Sequence, residues 1–140
     1  MELASVYEVA RTYIEESGVA DRVDTVAVDM FREAWPEEHD GVLFSNVFHD
    51  WNIENNLFLA RRAHDALARR GRVFVHEMLL AEDGSGPLTT ASFSVLMLFG
   101  TLGRQYSQGE VYRILAESGF VELETFNTRG YYSVVSGRKP

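Results

Sequence analysis

Asp40-Gly41-Val42-Leu43-Phe44-Ser45-Asn46-Val47-Phe48-His49-Asp50-Trp51 is the stretch on which the reading of this chain turns. Residues 42–48 are nearly continuous in apolar side chains, the pattern of a central parallel strand covered on both faces. A strand of that kind that ends in a histidine and then opens a helix puts an imidazole at the carboxyl end of the sheet, where open α/β folds bind ligands. One histidine beside a tryptophan also serves as packing or as a cap, and the residues by themselves leave both readings open.

Outward from this stretch, helical and extended patterns alternate. Ile53, Leu57, Ala60, His64 and Leu67 mark a helix that closes before Gly71, and residues 72–80 read as the next strand. Residues 82–87 are a loop by composition. The segment from Leu88 to Gly100 is apolar on more than one side, with Leu88, Ser92, Val95 and Phe99 in one stripe and Phe93 and Met97 in another. A helix of that character is buried or lines a pocket. Ser107-Gln108-Gly109-Glu110 is a capping box, followed by Val111, Ile114 and Leu115 and closed by Gly119. Residues 120–127 and 131–137 predict two strands joined through Gly130 as a hairpin. Upstream, Ser5-Val6-Tyr7-Glu8 is a second capping-box pattern. Val6, Val9, Ala10, Tyr13 and Ile14 follow it as a stripe that stops at Gly18, and residues 24–27 read as a short strand feeding Asp29. The alternation predicts an α/β fold with a mostly parallel sheet and a C-terminal antiparallel hairpin. No repeat and no linker interrupts it.

With 140 residues, 46% of them hydrophobic, the chain is one domain by length and large enough to bury a core without covalent staples. It has no cysteine, which removes disulfides and thiolate metal sites and leaves cytoplasm as the default location. No basic segment leading into an apolar core marks a signal peptide, and no apolar run approaches the roughly 18 residues of a membrane helix. A net charge of −8 argues against a phosphate-backbone partner, so nucleic acid is set aside. His39, His64 and His76 show no metal-ligand spacing.

Five segments, in order, resemble the S-adenosylmethionine-dependent O-methyltransferases of the plant caffeate and bacterial polyketide type. They are Asp29-Met30-Phe31, the stretch from Asp40 to Trp51, Gly71-Arg72-Val73-Phe74-Val75-His76-Glu77, Gly103-Arg104-Gln105-Tyr106-Ser107, and Glu117-Ser118-Gly119-Phe120. The resemblance implies a Rossmann-like methyltransferase fold that lacks its first strand and glycine-rich loop. Residues 1–140 would then be a partial catalytic domain, without counterpart to the family's N-terminal dimerisation domain. It also implies roles. His49 would be the general base, flanked by Glu77 and by Gln105, which stands where the family has a second glutamate. Glu2 would bind the ribose hydroxyls, Asp29 and Met30 the adenine, and Ser45 and Trp51 the methionine portion. Asp50, Phe93 and Met97 would face the acceptor, although core packing is the simpler account of Phe93 and Met97. Val28 replaces the glycine usual before the Asp-Met pair.

The chemistry suits these residue types. Methyl transfer from a sulfonium to a hydroxyl is an in-line displacement that needs positioning and a base for the hydroxyl proton. An imidazole with an ordinary pKa of about 6.5 is competent as that base near neutrality, and a carboxylate beside it stabilises the imidazolium as it forms. The expected activity is O-methylation of a small, aromatic secondary metabolite. The isolated chain is expected to bind S-adenosylmethionine weakly or not at all. An apolar strand left at a sheet edge predicts a homo-oligomer, or completion by a further polypeptide. The competing class is a non-catalytic binding or assembly module on the same fold.

Overall fold

A computed structural model describes residues 1–140, which fall into two units, Met1–Pro36 and Glu37–Pro140. In the first, helix α1 spans Ala4–Glu16 with Leu3 as N-cap and no side-chain capping bond. The helix starts ahead of Ser5, which therefore lies inside the first turn, where its hydroxyl cannot cap. The box expected from Ser5 to Glu8 does not form. The stop is as expected: Gly18 adopts φ 64° and the Val19 N–H reaches back to the Ile14 carbonyl. Residues 24–27 do not make a strand. Ala27 forms a single parallel bridge with Glu2, because the partner segment enters α1 two residues later.

The second unit is built on a four-stranded sheet in the order β1-β2-β4-β3, comprising β1 (His39–Ser45), β2 (Leu67–Met78), β3 (Val121–Asn127) and β4 (Tyr132–Arg138). Within this chain the sheet is mixed: β1 and β2 pair in parallel, and β2–β4 and β3–β4 are antiparallel. The expected hairpin is β3–β4, with Gly130 in the left-handed region at φ 69°. Strand β1 stops at Ser45, short of the expected residue 48, because Asn46 turns the backbone at φ 55°. It lies at an edge of the sheet, with Phe44 its only buried residue, so the covering on both faces expected of a central strand is not found. Strand β2 starts earlier than expected, directly after its helix. Arg70 at φ 68° kinks it, and regular pairing with β1 begins at Arg72.

Helices α2 (Ile53–Ala66) and α4 (Gln108–Glu117) bury one side each. Asn52 caps α2 by accepting from Asn55 N–H, and Ser107 and Glu110 form the complete capping box on α4. The buried stripe of α2 is Asn56, Leu59, Ala60, Ala63 and Ala66; of the stripe expected from sequence, Ala60 and Leu67 are buried and Ile53, Leu57 and His64 are not. Its alanines let the helix approach closely, and with Val111, Ile114 and Leu115 of α4 they build the core around Phe44, Val73, Val75 and Val135. Helix α3 (Leu88–Gly100) has the expected bounds and an unexpected environment. Only Thr90 is fully buried and the Ala91, Phe93, Ser94, Met97 side half so, while Leu88 and Phe99 are 82% and 85% exposed. Its apolar character is therefore not matched by burial in this unit.

Candidate active site

Strand alternation decides what β2 delivers to each face. Val73, Val75 and Glu77 project to the side that holds the core, and Arg72, Phe74 and His76 to the other. Glu77 is thus a carboxylate carried to a core face at the carboxyl end of a strand, and it is buried there. The charge is met by the segment that follows β1. Asn46 turns the chain, and Phe48–Asp50 coil into a short 3₁₀ turn whose leading N–H groups converge on Glu77. Its Oε1 accepts from the N–H of Val47 and Phe48, both at 3.0 Å, and lies 3.4 Å from that of His49. Its Oε2 lies 2.7 Å from His49 Nδ1.

This arrangement fixes the tautomer. A carboxylate accepts only, so Nδ1 carries the proton and Nε2 is left with its lone pair. Burial, the strongest influence on the ring, lowers its pKa. The Glu77 hydrogen bond and charge, helped by Asp50, outweigh it and leave the His49 pKa raised. The Phe93 ring meets the imidazole edge-on, with centroids 5.5 Å apart. Asp50 Oδ1 lies 3.6 Å from Nε2. A cavity of about 500 Å³ opens beside it, lined by Asp50, Trp51, Gly100, Thr101 and Leu102.

Three residues that the sequence reading did not single out hold this turn. Asn56 is fully buried and donates from Nδ2 to the carbonyls of Phe48 and Trp51, at 2.9 and 3.1 Å. Tyr106 donates its hydroxyl to the same Trp51 carbonyl at 2.6 Å. Gly103 lies so close that a Cβ there would meet His49 O at 2.3 Å and Trp51 N at 2.5 Å. The available signal for Asn56 was an amide on an otherwise apolar helix face, which needs a buried partner.

Of the expected catalytic residues, His49 and Glu77 are brought together and Gln105 is not bonded to them. Gln105 is fully buried, its backbone N–H donates to Ser94 Oγ, and both side-chain amide atoms lack a hydrogen-bond partner. The expected orienting bond from Gln105 to the ring is absent, and Glu77 alone orients it through Nδ1. Ser45 pairs across β1–β2 with His76, so it faces the side of the sheet away from Glu77, where its hydroxyl contacts His76 Nδ1 at 3.0 Å. Met97 is half-buried on the α3 face that carries Phe93. In the first unit, the parallel bridge between Glu2 and Ala27 sets Glu2 and Asp29 on adjacent segments. Asp29 Oδ1 accepts from Phe31 N–H at 2.9 Å, a local turn, and Met30 is half-buried, its carbonyl accepting from Trp35 Nε1.

Residues 1–121 match the O-methyltransferase domain family. Over 99% of its length the chain is 37% identical to 3-hydroxy-5-methyl-1-naphthoate 3-O-methyltransferase of Streptomyces sahachiroi, covering 41% of that protein. It is 33% identical to acetylserotonin O-methyltransferase of Bos taurus, over 99% of the chain and 39% of that protein. The crystal structure of the S-adenosylmethionine-dependent methyltransferase SibL in its apo form superposes on 99% of the chain with a TM-score of 0.89 at 34% identity, 42% of that chain being matched. The chain thus spans about two fifths of the length of the relatives it matches.

Proposed function

The chain belongs to the O-methyltransferase domain family, and on that premise we propose that it carries the acceptor-activating residues of an S-adenosylmethionine-dependent O-methyl transfer. The acceptor is a hydroxyl of a small aromatic metabolite, the class to which the naphthoate and acetylserotonin of the named relatives belong. The observation that supports this reading best is the 2.7 Å contact between His49 Nδ1 and Glu77 Oε2, both buried. It leaves Nε2 as the base. As the methyl group moves to the acceptor oxygen, Nε2 takes the hydroxyl proton, and Glu77 stabilises the imidazolium that results. Phe93 fixes the ring from the side and, with Met97, walls the acceptor. Asp50 and Trp51 border it at the cavity.

The cofactor residues fit S-adenosylmethionine in kind. Glu2 and Asp29 stand on adjacent bridged segments, and a pair of carboxylates there suits ribose hydroxyls and an adenine amino group, with Met30 against the ring. When bound, the cofactor supplies an electrophilic methyl group and nothing for the protein to protonate. This reading makes residues 1–140 part of a catalytic domain, places the protein in the cytoplasm, and gives it a small-molecule acceptor and a partner chain at the β1 edge. No helix is long and apolar enough to cross a membrane.

The test is turnover of a hydroxylated aromatic compound in the presence of S-adenosylmethionine by the complete enzyme, or by residues 1–140 joined by whatever supplies the rest of the catalytic domain. His49→Ala is expected to lower it by roughly two to four decades, the contribution of a positioned general base, with cofactor affinity nearly unchanged. A loss smaller than about threefold, with an unaltered pH profile, makes the histidine a packing residue; a complete protein that binds neither cofactor nor acceptor supports the assembly-module reading instead.

A further inference from the structure

The ring of His49 has two nitrogens, and one of them is already taken. Nδ1 is closed by Glu77, whose side chain is 4% exposed, and the His49 side chain itself is 7% exposed. The groups that meet the ring come from three elements. Strand β2 presents Glu77, α3 presents Phe93 and has no charged residue along its length, and the 3₁₀ turn presents Asp50. Arg104, on the segment that crosses the turn, is bound to Glu110 and stacked over Tyr106. Asp50 differs from all of these. Its side chain is 42% exposed, its Oδ1 lies 3.6 Å from Nε2, and it lines the cavity of about 500 Å³. Its main chain is fixed at the same time, the carbonyl accepting from Leu102 N–H at 3.1 Å.

We propose that Asp50 is the proton outlet of His49, a positioning residue that passes the proton from Nε2 to water in the cavity after each transfer. The inference rests on the reading of His49 as base. The balance requires such a step. The acceptor loses O–H and gains O–CH₃, the sulfonium loses its methyl and its charge, and one proton remains on the imidazole. Until it leaves, Nε2 has no lone pair and the site cannot act again. The separation of 3.6 Å is closed by a small rotation of Asp50 or by one water, the distances over which side chains exchange protons.

The test follows solvent exchange of the Nε2 proton by NMR in the full chain with isotopically labelled histidine, at a pH where His49 is protonated. It needs no methyl transfer, so its failure is distinguishable from failure of the base assignment, which His49→Ala decides. Asp50→Asn keeps shape and is expected to slow the exchange about tenfold or more, with added formate restoring it. Asp50→Glu keeps a carboxylate and should exchange like the parent chain. Unchanged exchange in Asp50→Asn, or slowing that formate does not repair, overturns the proposal. Should Asp50→Asn lose its dispersed spectrum, the parent chain decides: exchange independent of formate supports an internal outlet, and exchange rising in proportion to formate overturns it.

Discussion

At His49 burial and pairing pull the proton in opposite directions, and pairing prevails, which leaves a signature in pH. A histidine whose pKa rises on folding adds stability that is complete below the unfolded value of about 6.5 and is lost as pH climbs through the folded value above it. Activity runs the other way, since the base must be neutral, so turnover should increase across the window in which this stability declines. Glu77→Gln tests the cause. It preserves an oxygen for the N–H groups of residues 47–49 but removes the charge, so burial is opposed by Asp50 alone and the His49 pKa should fall, read by NMR titration. The stability difference between pH 6 and 8 should flatten in the same variant, roughly, if Glu77 is the partner that produces it. A His49 titration that does not move would assign the shift to some other group. Gly103 gives a second expectation. Its Cβ would strike backbone atoms of His49 and Trp51 that cannot swing aside, so Gly103→Ala should cost about 1–3 kcal/mol by denaturant unfolding, the usual range for overpacking. A loss within experimental error would show that the turn has room to shift.

Elements show why some of this molecule was legible in the sequence and some was not. Local chemistry was read correctly at three places where the chain signals itself within a few residues. The Ser107–Glu110 box, the Gly119 stop at φ 94° and the Gly130 hairpin all stand as expected. Ser107 Oγ both accepts from Glu110 N–H and contacts Glu82 Oε2 at 2.8 Å, tying the loop before α3 to the start of α4. Ser107→Ala is therefore expected to cost about 1 kcal/mol, with up to about 2 for a cap of this kind. An indistinguishable midpoint in urea would mean that Glu82 and Glu110 cap the helix unaided. What misled was context. The Ser5 pattern has the same letters as the Ser107 box, but α1 starts before it. Residues 42–48 look like one strand because apolarity cannot report the positive φ of Asn46, and that turn is what swings His49 over Glu77. The pairing of His49 with Glu77 was accessible from parallel-strand geometry, whereas the Asn56 clamp depends on which face of α2 is buried, and its alanines gave the hydrophobic pattern little to mark.

At the scale of residues 1–140 as a whole, the decisive feature is the margin of the sheet at β1. Strand β1 terminates the sheet on one side, and Leu43, 64% exposed, is the apolar residue in its middle. Exposed apolar edges invite a second strand because their N–H and C=O groups remain available along with the side chains. Two copies joined antiparallel through β1 would satisfy the same groups on both, the self-complementary arrangement of a two-fold dimer, and would fuse two four-stranded sheets into one. Light scattering at tens of micromolar is expected to return about twice 15.9 kDa or more. Leu43→Lys should return the single-chain mass, since a lysine on an edge strand keeps hydrogen-bonding partners at a distance by charge and hydration. The two measurements separate the possibilities. A monomeric parent chain removes the edge as an interface. An oligomer untouched by Leu43→Lys moves the contact elsewhere, and the exposed apolar side of α3, with Leu88, Leu98 and Phe99, is then the surface to alter next.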